Sequence, residues 1–430
     1  MSREINVQEL MEYLDNSVTC YQAVEEACRQ LEEKGFEQLS EKELWKLQKG
    51  GAYYVTRNDS SLLAFRIPQD EVKGFHIYAA HSDSPAFKVK ENPEMPSEKQ
   101  YMCLNTEKYG GMIMSTWMDR PLTIAGRACV VENGEIVSYP VRLKDNMCMI
   151  PNLAIHMNRN MNEGVALNPQ IDMLPLMCML DGSKSLAKHV AEQLSRQGSH
   201  NVEETDILAT DLFVVNSQKA VLAGAQDEFL MTARYDDLGC VYAGLQAILA
   251  VAPSSYIDVL AIFDNEEVGS LTRQGADSTF LKDILMNIAD GMGVSQAVLR
   301  TWLADSFLLS ADNAHACHPN QGTKADPVNK PYLNQGVVLK YHGSQKYATD
   351  AYSAAYVKQL CKQENVPLQM YHNRSDIAGG STLGNLVMAQ VSMPAADIGL
   401  PQLAMHSAYE TAGVNDIQYL YRLAESFFAR

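Results

Sequence analysis

The feature that most limits how this chain can fold is a rhythm beyond residue 222, where apolar runs of strand length alternate with stretches of helical spacing. Ile257–Phe263, Phe307–Ser310, Gly336–Tyr341 and Pro367–Tyr371 read as strands, while Val241–Val251, Ala351–Glu364 and a closing segment from about Ile417 read as helices. Alternation of this kind implies βαβ units, hence an α/β fold on a mixed, mainly parallel sheet flanked by helices. The same pattern is present near the start. Helical stripes run from Val7 to Leu31 (Leu10, Tyr13 and Leu14, then Val24, Cys28 and Leu31), and Gly35 is a plausible stop. Strand-like Gly51–Thr56, Ser61–Arg66 and Gly74–Ala80 follow.

Between about Val89 and Leu222 the character changes to strand and turn signals. The clearest is Arg127–Glu132, Asn133-Gly134, Glu135–Tyr139, since Asn-Gly between strand formers marks a tight hairpin. A single core stops growing near roughly 250–300 residues, so 430 residues call for more than one domain. The expected plan is a discontinuous α/β domain of residues 1–88 and 223–430, carrying an inserted β-rich domain at 89–222.

Composition narrows the function. With 46% hydrophobic and 20% charged residues the chain should fold, and its formal charge of −17 would repel nucleic acid and anionic lipid. The N-terminus carries acidic residues where a secretory signal needs an apolar stretch, and no window of about 18 apolar residues occurs. Nine cysteines, none in a Cys-x-x-Cys pair and most in apolar runs, read as reduced, buried thiols of a cytoplasmic protein.

In open α/β sheets, ligands sit beyond the carboxyl ends of the strands. Three strand ends carry polar clusters: His81-Ser-Asp83, Asp264-Asn-Glu266-Glu267 and Ser310-Ala-Asp312-Asn-Ala-His315. Arg234-Tyr-Asp236-Asp237 opens a helix, and Met405-His406-Ser407 follows another apolar run. Alone, each has a structural explanation as a cap or a solvated turn. Together they offer the nitrogen and oxygen ligands that zinc accepts. One Asp can bridge two ions held roughly 3.5–4 Å apart, and of two adjacent Glu side chains one can ligate while the other takes a proton from water. Signatures for dinucleotides, P-loops, helical zinc proteases and serine hydrolases are absent. The cluster Gly379-Gly380-Ser-Thr-Leu-Gly384 is either an anion-binding helix start or a tight turn.

The ordered motifs AAHSDSPAFKVK, YGGMIMSTWMDRPL, IPNLAIHMNR, ARYDDL, FDNEEVGSLTRQGA, SADNAHACHPN, GVVLKYHGSQKYATD and PQLAMHSAYETAG resemble the aspartyl aminopeptidases, dinuclear zinc exopeptidases, through nearly the whole chain. The resemblance implies that His81, Asp236 and Asp312 hold one ion, that Glu267 and His406 hold the other, and that Asp236 bridges them. It implies Glu266 as general base acting on a metal-bridging water, with Asp83 orienting His81. Substrate contacts fall on His156, His315, Lys340 and Tyr347, with Lys340 meeting an acidic side chain. Two divalent ions are implied, zinc first, with manganese or cobalt as alternatives. The implied substrates are short peptides with N-terminal Asp or Glu. The resemblance further implies a zinc-peptidase-like fold, a cis Asp236–Asp237 bond, and an insertion that pairs subunits, so that dimers form a tetrahedral dodecamer in which His156 reaches a neighbour's site. The family commonly has Leu and Asn where this chain has Tyr235 and Asp237, and Cys-Gly-Thr-Thr at the glycine cluster. His318 reads as a loop cap. Two other readings remain open: a catalytically silent shell or cargo-forming assembly protein, and a dinuclear deacylase or carboxypeptidase on the same scaffold.

Overall fold

A computed structural model describes residues 4–198, 201–253 and 255–430. The first residues of the acidic N-terminal segment therefore lie outside what is described. The chain divides into two compact units, one formed by Met1–Asp83, Ala220–Met405 and Glu410–Arg430, the other by Ser84–Lys219 and His406–Tyr409. These divisions differ from the expected 88/89 and 222/223. The reason is local: Ala86–Ser97 is already a strand of the second unit, and Val221–Ala223 pairs within the first.

The first unit is built on a nine-stranded sheet in the order 37–38, 52–57, 61–66, 256–263, 74–81, 307–311, 395–399, 337–341, 368–372. Its central strands 256–263, 74–81, 307–311 and 395–399 run parallel, and antiparallel pairs lie towards the edges. Side chains alternate between two buried faces. Leu62, Ala64, Tyr78, Leu260 and Leu309 pack against the helices Val7–Asn16, Cys20–Glu33, Tyr235–Ala250, Ala351–Glu364 and Asp416–Phe428. Leu63, Phe65, Ile77, Val259 and Leu308 pack against Phe280–Gly291, Gln296–Ala304 and Leu383–Gln390. With both faces covered, the strands read as continuous apolar runs. Each fully buried Leu or Phe contributes about 1.5–3 kcal/mol. A separate five-stranded sheet of short strands, in the order 221–223, 229–232, 410–413, 401–403, 314–315, completes this unit.

The second unit is a six-stranded, wholly antiparallel sheet in the order 135–142, 122–132, 207–216, 86–97, 101–109, 176–179. The Asn133-Gly134 turn joins the paired strands Leu122–Glu132 and Glu135–Arg142, with both turn residues at positive φ. The unit also holds a helix not read from the sequence, Leu186–Gln197, whose N-cap Ser185 accepts a hydrogen bond from the Lys188 N–H. All nine cysteines are free thiols; Cys20, Cys148, Cys240 and Cys361 are buried and the other five half-buried, so burial is less general than the apolar runs suggest. Among the described residues no helix is long and apolar enough to cross a membrane.

Candidate metal centre

Three adjacent parallel strands end at one edge. His81 closes Gly74–His81 and lies opposite Phe263, Asp264 follows Tyr256–Phe263, and Asp312 follows Phe307–Ala311. The helix Tyr235–Ala250, packed beneath this sheet, contributes Asp236 and Asp237 at a non-helical opening. The bond between these two residues is cis, as the resemblance implies. The result is a buried group of donors from His81, Asp236, Asp237 and Asp312, with one ligand atom from each within 4.8 Å of the others. A second group at the same spacing joins His81 to Glu266 and Glu267.

The imidazole of His81 is oriented from behind. Its Nδ1 lies 3.0 Å from the Asp83 carbonyl oxygen and 3.3 Å from Asp83 Oδ1, which leaves Nε2 facing Asp236 Oδ1 at 3.7 Å. Asp83 does more than the sequence suggested. Its Oδ1 accepts the Glu266 N–H at 3.1 Å and its Oδ2 the Glu267 N–H at 3.2 Å, so one carboxylate caps the short 3-10 turn carrying both glutamates. That turn begins at Asn265, whose left-handed φ of 64° is tolerated because its Oδ1 accepts from Thr272 and Gln274.

The electrostatics call for a cation. Burial pushes Asp237 far above the usual carboxylate range, with Asp312 and Asp236 adding to the effect and His81 opposing it. Burial also raises Asp312, and it raises Glu266 to about 8, with Asp312, Asp83 and Asp236 pushing the same way. His81 is held above its ordinary value by Asp236, Asp83 and Asp237, although burial works against its charge. The Oδ1 of Asp237 is buried without a hydrogen-bond partner, while its Oδ2 accepts the His81 N–H at 3.2 Å. Clustered carboxylates and a pre-oriented imidazole are the donor chemistry a zinc-like ion takes. The residues fit such an ion.

His315, Lys340 and Tyr347 also come together. The His315 ring meets Tyr371 edge-on, Tyr371 packs against Tyr347, and the Lys340 ammonium lies 5.1 Å from the Tyr347 ring centre. Lys340, however, is 2% exposed. Its Nζ donates to the carbonyls of Asp312 at 2.8 Å and Asn313 at 3.1 Å, and it stands 3.6 Å from Asp312 Oδ2. Burial opposes its charge, yet Asp312, Tyr347 and Asp397 hold Lys340 above its ordinary value. In this arrangement two of its donors hold the loop behind Asp312. His318 accepts the Asn320 N–H and caps its loop.

At the glycine cluster, Thr382 stands at the N-cap position of the helix Leu383–Gln390 without capping it, and its hydroxyl donates to Asp397 Oδ1, which also accepts from Ser310 at 2.7 Å. A Cβ at Gly384 would lie 2.8 Å from Asp397 Oδ2. The Asp397 carboxylate therefore packs closely against the start of this helix. In the second unit, His156 is exposed in the loop after Ile150, between Ile155 and Met157. His406 also belongs to that unit, where its Nδ1 lies 2.6 Å from the Gly111 carbonyl oxygen.

Comparison with known proteins agrees with this chemistry. Residues 13–428 match the profile of the aminopeptidase I zinc metalloproteases, M18. The chain is 41% identical over 427 residues to a probable M18 family aminopeptidase 2 of Clostridium acetobutylicum, covering 98% of each chain. It is 42% identical over 430 residues to that of Clostridium novyi, again with 98% of each covered. Among solved structures, the S. cerevisiae mApe1 dodecamer superimposes with a TM-score of 0.85 at 26% identity, over 98% of this chain and 95% of that one. An M18 aminopeptidase from Thermotoga maritima gives 0.84 at 25%, over 98% and 95%. The chain belongs to the M18 family of zinc metalloproteases, and aminopeptidase activity, a hydrolysis, comes with that membership.

Proposed function

We propose that this aminopeptidase removes N-terminal Asp or Glu from short peptides, using two divalent ions, zinc first. His81, Asp236 and Asp312 would hold one ion, Glu267 and His406 the other, with Asp236 shared. The observation that carries the reading is the convergence of His81, Asp236, Asp312, Glu266 and Glu267 at the ends of the central parallel strands and the start of one helix. When bound, such ions polarise the scissile carbonyl and make water a stronger acid.

The chain's own residues supply the rest. Glu266, held by Asp83 through its backbone N–H, takes the proton of the attacking water and passes it to the leaving amine. Lys340, behind Asp312, keeps a positive charge under the donor group and holds the loop. The acidic preference rests on the family resemblance, and the exposure of His315 supports its assignment to the substrate. Tyr347, buried beneath it, shapes the wall.

We propose further a cytoplasmic homo-oligomer in which the second unit pairs subunits, dimers build a tetrahedral dodecamer, and His156 serves a neighbouring copy. The dodecameric S. cerevisiae relative and the exposed Leu153, Ile155 and Met157 around His156 support this. A silent assembly protein is disfavoured because all five proposed ligands and the base are present.

Glu266→Gln tests the reading. It should abolish turnover of Asp- and Glu-p-nitroanilide while metal analysis still finds two ions. Loss of an ion would mean the roles of Glu266 and Glu267 are exchanged. Faster cleavage of Leu or Ala substrates by the wild type would refute the acidic preference, and activity on acetylated substrates alone would favour a deacylase.

A further inference from the structure

Behind Asp236 lies a closed circuit of buried hydrogen bonds whose members include no proposed ligand side chain. The peptide group joining Tyr235 to Asp236 is held at both ends. Its N–H donates to Glu410 Oε2 at 3.1 Å, and its C=O accepts from Asn313 Nδ2 at 2.9 Å. Gln402 closes the circuit, donating from Nε2 to Glu410 Oε1 at a longer 3.4 Å and accepting from Asn313 Nδ2 on its Oε1 at 2.9 Å. Glu410, Gln402 and Asn313 are 2%, 1% and 3% exposed. Asn313 follows Asp312 in the chain, so the circuit joins the backbones of two proposed ligands.

With Glu410 as a carboxylate, the polarity of this circuit follows at every step. The Asp236 N–H can only donate, and a carboxylate at Glu410 can only accept. Gln402 must therefore turn its NH₂ to Glu410 and its oxygen to Asn313. Asn313 must present Nδ2, which is what the Tyr235 carbonyl requires. The Oδ1 of Asn313 then faces two more donors, Leu400 N–H at 3.3 Å and Cys240 Sγ at 3.2 Å, consistent with the same orientation.

We infer that Glu410 and Gln402 are positioning residues that set the separation of the Asp236 and Asp312 carboxylates, and so the affinity of the site for its ions. This rests on the proposed ligand set. Glu410→Gln changes one heavy atom but reverses a polarity: whichever way the new amide turns, two donors face each other somewhere in the circuit. Gln402→Glu has the converse fault, opposing two carboxylates. The double variant Glu410→Gln with Gln402→Glu restores the order, since Gln at 410 accepts from Asp236 N–H and donates to Glu at 402, which accepts from Asn313.

The test titrates cobalt(II) into metal-free full-length protein, following its visible absorption, alongside kcat and a thermal melt for the wild type, both single variants and the double. Each single variant should lose about tenfold or more in cobalt affinity, and the double should recover most of it. Failure of the wild type to bind cobalt would sink the ligand assignment itself. Wild-type binding with unchanged single variants would overturn the positioning role. A double variant as weak as the singles combined would do the same. If the singles do not fold, a double that folds and binds still supports the circuit, and a double that also fails to fold overturns it.

Discussion

Replacing Asp83 by Asn disturbs the clamp on the two glutamates together with the contact to His81. The two carboxylate oxygens accept the Glu266 and Glu267 N–H groups at 3.1 and 3.2 Å, and the same residue faces His81 Nδ1. An amide of the same size keeps one acceptor and turns an NH₂ towards the other N–H. A hydrogen bond to a charged group contributes about 1.5–3 kcal/mol, so losing one should cost roughly 10- to 100-fold in kcat at saturating metal. Because Glu267 moves with the turn, metal affinity should fall as well. The assay is kcat and KM on Glu-p-nitroanilide across a zinc titration, with circular dichroism as a control for folding. A folded Asp83→Asn protein with wild-type kcat at every zinc concentration would refute the claim that this carboxylate places the base.

Other consequences can be checked separately. Glu266 acts as a base only as a carboxylate, and burial among acids pushes it to about 8 in the metal-free protein. Nearby cations favour the charged form, so carbon-13 NMR should show Glu266 titrating at lower pH once zinc is added, with kcat falling as pH drops through that lower value. No movement on adding zinc would count against placing Glu266 beside the ions. At Gly399 a Cβ would lie 1.9 Å from the Asp312 carbonyl oxygen. Gly399→Ala should cost about 1–3 kcal/mol in stability and lower bound zinc, as a melt and metal analysis would show; unchanged values would mean the strand gives way freely.

What could be read in advance follows a physical division. Strands buried on both faces are runs of apolar residues, so their ends are visible, and His81, Glu266, Glu267 and Asp312 all sit just where such runs stop. Gln402 and Glu410 were invisible as partners. Glu410 meets Asp236, and Gln402 meets Glu410, through strands of four and three residues, Glu410–Gly413 and Pro401–Leu403, whose pairing exists only in the folded chain. The clamp by Asp83 spans a similar gap to Glu266 and Glu267 and left no local pattern. The hold of Lys340 on the loop behind Asp312 was hidden for a related reason. A lysine closing an apolar strand looks like a group reaching outward, yet here backbone carbonyls of a neighbouring loop draw its ammonium inward. The helices Phe280–Gly291 and Gln296–Ala304 were not read either, although their apolar faces lie against the same sheet.

The central claim is that one metal-loaded site cleaves the residue bearing a free amino terminus. Its most direct test strips the full-length protein with chelator, then compares Asp- and Glu-p-nitroanilide with their N-acetylated forms before and after zinc is restored. The account predicts no cleavage of either form by the stripped protein, and restored cleavage of the free-amine substrates alone when zinc returns. Full activity without metal, or cleavage of acetylated substrates as fast as free ones, would contradict it.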